Sequence, residues 1–238
     1  MQTIQKDSKK ILIKLSGGAL SNGEEKYTES VLKETADQIK EVQDAGYEVA
    51  LVVGGGNLFR GAELAGNVGI RRSTGDYIGM LATVQNALAV RDYFESQGLV
   101  VRVSSAISMP QVCEPYLPQR ARRHLAKGRI VIFAGGTGMP YFTTDTTAAQ
   151  RALELNCGTL VLAKDGVDGV YTADPDTDPA ATKINKITAT EVIEKDLKVA
   201  DASAIAMCRD NGLPIRVVSM KDIAKLNDET LGTTVLPE

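Results

Sequence analysis

The sequence has no tryptophan and one histidine, His124, in 238 residues. A zinc centre or a Ser-His-Asp hydrolase would have to be built around that one imidazole, inside an arginine-rich segment, and both classes are set aside. Cysteine is nearly as scarce. Cys113, Cys157 and Cys208 are scattered and form no C-x-x-C pair. Their odd number does not close a disulfide framework, so reduced, buried thiols are expected. Long apolar runs are missing too: Lys14 interrupts the one in "MQTIQKDSKKILIKLSGG", and no other stretch approaches a membrane span. A formal charge of -3 provides no global basic field for nucleic acid or anionic lipid. The expectation is a soluble, cytoplasmic chain that handles small molecules, with no membrane partner. Its 43% hydrophobic content is enough for a real core, and residues 1–238 are taken as one domain with residues 1–9 as an N-terminal extension.

Six short aliphatic and β-branched runs are present: "KKILIKLSGG", "YEVALVVGGG", "GLVVRVSS", "GRIVIFAGG", "GTLVLAKDG" and "LPIRVVSM". Each reads as a strand. Helix-period segments lie between them, the clearest running from Thr28 with Val31, Leu32, Ala36, Ile39 and Val42 on one face and Gly46 as its stop. This alternation predicts an α/β fold with a mostly parallel sheet covered by helices, whose ligands bind at the carboxyl edge of the strands. "TADPDTDPAAT", Thr172 to Thr182, reads as a surface excursion after a hairpin, "VDGVY", at the sheet edge. In "QRARRHLAKGR" a solvated helix face is favoured over a nucleic-acid contact.

Glycine clusters fall at the predicted strand exits. They complete neither G-x-x-x-x-G-K-[ST] nor G-x-G-x-x-G, so an ordinary P-loop or dinucleotide fold is not indicated. Instead "KLSGG" carries Lys14 before its glycines, "GGGNLFR" carries Arg60 after them, and "GGTGMPYFTTD" ends at Asp145. Backbone N–H groups freed by glycine can converge on phosphate oxygens, so polyphosphate is the expected visitor. An ammonium on Lys14, at the ligand edge, would neutralise transferring phosphoryl oxygens.

From Lys10 nearly to the end, the chain resembles bacterial UMP kinases of the amino acid kinase family. "GGGNLFRG", "GDYIGMLATVQNAL", "GTGMPYFTTDTTAA" and "VDGVYTADP" match that family's signatures in order. The resemblance implies a three-layer αβα sandwich and transfer of the γ-phosphate of ATP to UMP, with Mg²⁺ carried on the nucleotide phosphates and no protein-held metal. It implies that Lys14, Leu15, Ser16, Gly17, Gly56 and Arg60 meet ATP phosphates. Asp165, Tyr171 and Asp174 would lie beside its adenosine. Gly55, Asp76 and the run Thr137, Gly138, Met139, Pro140, Tyr141, Phe142, Thr143 and Thr144 would hold UMP, while Asp145 orients Lys14, the catalytic lysine; Lys14, Arg60 and Asp145 form the implied catalytic set. A homohexamer inhibited by UTP and activated by GTP is also implied. The chain departs from the family pattern at Gly18, where glutamate is usual, at Met139, where asparagine is common, and around Asp165 in "AKDGVDG". The alternatives are a kinase of the same fold acting on a carboxylate such as acetylglutamate or aspartate, and a nucleotide sensor without turnover.

Overall fold

The computed structural model describes residues 6–16, 20–59, 69–175 and 177–238. Nine of the strands among these residues form one sheet, in the order β4-β3-β5-β2-β1-β6-β10-β11-β9. Its centre consists of β1 (Asp7–Leu15), β2 (Glu48–Val53), β5 (Ile130–Ala134), β6 (Cys157–Lys164) and β10 (Ile215–Ser219), all parallel. β3 (Val101–Ser105) and the two-residue β4 (Glu114–Pro115) complete one side. On the other side β11 (Thr233–Leu236) runs antiparallel to β10, and β9 (Lys186–Thr188) pairs with β11. The six predicted strands are all present. β7 (Val170–Tyr171) and β8 (Lys183–Ile184) form a separate antiparallel pair. The "VDGVY" segment is therefore one arm of a hairpin closed across the Asp- and Pro-rich excursion, not an edge of the main sheet.

Alternation along the central strands sends successive side chains to opposite faces and creates two cores. Ile11, Ile13 and Leu15 join Leu51, Val53 and Ile132 beneath α1 (Glu29–Asp44) and α2 (Arg72–Ser96). Leu12, Val52, Phe133 and Leu162 pack on the other face. That face is covered by α3 (Pro118–Leu125), α4 (Thr144–Glu154), α5 (Ala189–Glu194) and α6 (Ala202–Asp210). The result is the expected three-layer αβα sandwich. α1 follows its predicted pattern, with Leu32, Ala36, Ile39 and Val42 buried and Gly46 beyond its end at φ +90°. β1 takes in Asp7, Ser8 and Lys9, so the expected N-terminal extension does not reach to residue 9. The Asp7 N–H donates to the Asn156 carbonyl at 3.1 Å, and Lys10 pairs with Asp7 and Glu48, so the strand has partners from its first residue.

The chain places β2 on one side of β1 and β6 on the other, so the strand order reverses at β1. A crevice opens at the carboxyl ends of such strands. The exits after Leu15, Val53, Ala134 and Lys164 all lie on that edge.

Candidate functional site

Lys14 is the penultimate residue of β1, in register with Val52 of β2 and Leu162 of β6. Its side chain therefore follows Leu12 onto the face covered by α4. It is 8% exposed, and its Nζ lies 2.9 Å from Asp145 Oδ1, an ion pair without directed hydrogen-bond geometry. Asp145 occupies the first turn of α4, whose start is fixed by Thr143: the Thr143 hydroxyl oxygen accepts from the N–H groups of Asp145 and Thr146. Thr143 in turn donates to Asp201, as does Thr146 at 2.9 Å, and Asp201 caps α6 by accepting from the Ala204 N–H at 2.8 Å. One carboxylate thus ties two helix starts together and aims Asp145 at Lys14.

The glycines at the strand exits do different work from one another. A Cβ on Gly55 would stand 2.9 Å from both Ala82 Cβ and the Gly79 carbonyl oxygen. What approaches the backbone there is α2, so Gly55 is required by packing and not only by a ligand. A Cβ on Gly56 would meet nothing within 4 Å among the described residues, which leaves that backbone open to the crevice. Gly135 is bound in as well. It has φ +73°, its N–H donates to Thr83 Oγ1 at 2.8 Å, and a Cβ would fall 2.8 Å from Ser105 Oγ. The turn after β2 is pinned by Asn86, fully buried on α2, whose amide donates to the Gly54 carbonyl and to Asn57 Oδ1 while its oxygen accepts from the Tyr27 hydroxyl. Gly17, Gly18 and Arg60 lie outside the described residues.

A cavity of about 150 Å³ lies between the turn after β2, the start of α2 and the loop between β5 and α4. Gly55, Asp76, Thr137, Phe142, Thr143 and Thr144 line it. Asp76 is not a helix cap, because α2 begins four residues earlier at Arg72. Its Oδ1 accepts from Arg72 Nε at 2.8 Å, and its Oδ2 accepts from the Tyr141 N–H at 2.8 Å. Tyr141 has φ +71°, and the Arg72 guanidinium sits 5.7 Å from its ring centre. The structure thus brings Asp76 to the Thr137–Phe142 loop, in which Thr137 Oγ1 accepts from the Met139 N–H and Gly138 has φ +82°. Met139, Tyr141 and Phe142 are exposed, beside Pro140.

The remaining predicted residues fall in two further cavities. Asp165 borders one of about 650 Å³ together with Gly56 and Asn57. Tyr171 and Asp174 line another of about 490 Å³ with Lys195, Leu197 and Lys198. Asp165 thus borders a different cavity from the other two. The Tyr171 hydroxyl donates to Asp168 Oδ1 at 2.6 Å, holding that carboxyl below the usual carboxylate range and raising the phenol.

His124 lies away from this edge, with Nε2 3.2 Å from Glu114 and Nδ1 3.1 Å from Arg129. The basic helix α3 buries Ala121 and Leu125, while Arg120 pairs with Glu114 and Arg122 donates to the Glu154 carbonyl. These are the contacts of a solvated amphipathic face. All three cysteines are free, and burial pushes the Cys157 and Cys208 thiols up to about 12. No helix of the described residues is long and apolar enough to cross a membrane. Sequence reasoning missed Thr83, Asn86 and Asp201. Only Asp201 carried a legible local signal, as a carboxylate directly before a helical segment.

The profile of the amino acid kinase family matches residues 9–219. The chain is 52% identical to the uridylate kinase of Corynebacterium efficiens over 231 residues, covering 95% of this chain and 94% of that protein. It is 53% identical to that of Corynebacterium jeikeium, covering 95% and 93%. Its fold is similar to the crystal structure of UMP kinase from Bacillus anthracis, with a TM-score of 0.92, 39% identity, and coverage of 97% and 96% of the two chains.

Proposed function

The chain belongs to the amino acid kinase family, and from that premise we infer that it transfers the γ-phosphate of ATP to UMP, giving ADP and UDP. The observation that carries this reading is the carboxyl edge at β1, where the largely buried Lys14–Asp145 pair lies at the strand exits and Asp76 shares a cavity with the open backbone of Gly56.

A phosphate monoester with a second pKa of about 6 is largely ionised at neutral pH, so the UMP phosphate needs no protein base to attack. An oxygen of that phosphate forms a bond to the γ-phosphorus in line as the bond to the β–γ bridging oxygen breaks and ADP leaves with the electron pair. The chemical difficulty is bringing two anions together. Lys14, held by Asp145, supplies positive charge to the transferring phosphoryl group, with Arg60 and the N–H groups around Gly17 and Gly56 beside it. Asp76 and the Thr137–Thr144 segment hold UMP; Asp76 accepts from the ribose hydroxyls through lone pairs that Arg72 and Tyr141 leave free. Leu15, Ser16, Asp165, Tyr171 and Asp174 attend ATP.

Among the described residues no cluster of three or more His, Cys, Asp or Glu side chains is arranged to hold a metal. A Mg²⁺ carried on the nucleotide would neutralise phosphate charge and keep its waters.

The same reading takes residues 1–238 as one domain. It makes the enzyme a cytoplasmic homohexamer inhibited by UTP and activated by GTP; the free thiols support a reducing compartment. Tyr77 and Leu81, exposed one turn apart on α2, support an interface on that helix. Product analysis by ion-exchange chromatography tests the reaction: ADP and UDP form in equal amounts from ATP and UMP. ADP accumulating without UDP refutes it.

A further inference from the structure

A second lysine faces the crevice that contains Lys14. Lys164 is the last residue of β6, and alternation from Leu160 and Leu162, both in the core beneath α4, puts its side chain on the same face. Leu162 is the register partner of Lys14, so Lys164 stands one same-face step beyond Lys14 on the adjacent strand, towards the ligand edge. Both lysines interact electrostatically with Asp145. Asp145 makes its ion pair with Lys14, and no described residue hydrogen-bonds or ion-pairs with the Lys164 ammonium. Lys164 is nevertheless half-buried. Burial pushes its ammonium below the ordinary lysine value, with Asp145 pulling it back up and Lys14 pushing it further down.

A partly desolvated ammonium without a protein counter-ion costs the fold free energy unless a ligand supplies the charge. With Asp145 offsetting one lysine, the other leaves a net positive charge at the crevice. Sheet order indicates which ligand meets it. The Asp76 cavity is built from the β2 exit, α2 and the loop after β5, all on one side of β1. β6 lies on the other side and runs into the turn that begins with Asp165 and leads to Tyr171 in β7. We propose that Lys164 is a donor-phosphate-binding residue, whose ammonium engages the β- and γ-phosphate oxygens of ATP and follows the charge that gathers on the β–γ bridging oxygen as ADP departs. This rests on the reading that the crevice transfers a phosphoryl group from ATP.

The test compares Lys164→Met and Lys164→Arg with the wild-type enzyme. Steady-state kinetics are measured in each substrate, together with calorimetric affinities for ADP and AMP and thermal melting. Lys164→Met is expected to lose about thirtyfold in kcat/KM for ATP, the scale of one hydrogen bond to a charged group, with KM for UMP changed less than about twofold. ADP affinity falls about tenfold or more while AMP affinity holds, because AMP lacks the β-phosphate. Lys164→Arg recovers most of the loss. The methionine variant melts at or above the wild-type temperature, since a desolvated charge has been removed; a purely structural lysine would move melting in the other direction. Should Lys164→Met not fold, Lys164→Gln decides by the same comparison.

Values of kcat/KM for ATP and ADP affinity within about twofold of wild type overturn the proposal. A loss confined to the KM for UMP also overturns it, by moving the lysine to the acceptor. Wild-type enzyme that forms no UDP would instead refute the phosphoryl-transfer reading, while a Lys164-dependent preference for ADP over AMP would still establish the phosphate site.

Discussion

Replacing Lys14 by methionine separates the catalytic role of this residue from its structural one. The substitution removes an ammonium whose Nζ lies 2.9 Å from Asp145 Oδ1, with the two side chains only 10% and 16% exposed. Two consequences follow, each with its own readout. Losing a preorganised charge from the transferring phosphoryl group costs about 3 kcal/mol of transition-state stabilisation, on the order of a hundredfold or more in kcat. Leaving Asp145 without its ion partner also costs stability. Fully buried pairs lose about 3–5 kcal/mol when one member is removed, and the residual solvent access here brings that down to about 1–3 kcal/mol. At about 2–4 °C per kcal/mol for a chain of this size, melting falls by roughly 2–12 °C. Adding Asp145→Asn removes the stranded carboxylate, so the double variant regains stability but not rate, a non-additive pattern that the double-mutant cycle exposes. ADP release at saturating ATP and UMP gives the rate, and a thermal melt gives the stability. A Lys14→Met enzyme whose kcat stays within tenfold of wild type would refute the mechanism.

The two glycines after β2 should respond oppositely. Gly55→Ala forces a Cβ to 2.9 Å from α2 and is expected to cost about 1–3 kcal/mol of stability, whereas Gly56→Ala melts like wild type yet loses activity; equal melting of the two would contradict the packing argument. UMP should be used about thirtyfold to hundredfold better than dUMP in kcat/KM, because a missing 2′-hydroxyl leaves the Asp76 carboxylate partly unpaired. Asp76→Asn should lose that preference with the KM for ATP little changed; a variant that melts earlier yet keeps the ratio would make Asp76 a loop tether only. Light scattering should report six copies across the working concentration range, and a persistent monomer would rule out the hexamer.

The long central strands were legible because each spans five or more residues rich in aliphatic and β-branched side chains. β4, β7, β8, β9 and β11 span two to four residues, too short for periodicity to register, and their existence depends on neighbours far along the chain. The same limit applies at the crevice. The sequence marks Gly55 as special but cannot say that α2 fills the space above it. Thr83 reaching Gly135, or Asn86 reaching Gly54 and Asn57, are contacts made only by tertiary packing, and on a helix each residue reads as an ordinary polar position. From sequence alone a carboxylate before an apolar helical run, such as Asp76, can also be a cap, a role that the start of α2 at Arg72 excludes. In the sequence Lys164 is an ordinary lysine at the end of a strand, and only the register against Lys14 puts it at the crevice.

The identity of the acceptor decides which reaction the enzyme catalyses. ADP release from ATP, followed by a coupled assay under one set of conditions with UMP, CMP, dUMP and acetylglutamate in turn, measures it directly. UMP should give the highest kcat/KM, with dUMP and CMP well below it and acetylglutamate at the level without acceptor. A carboxylate acceptor outrunning UMP, or no ADP above background with UMP, would contradict it.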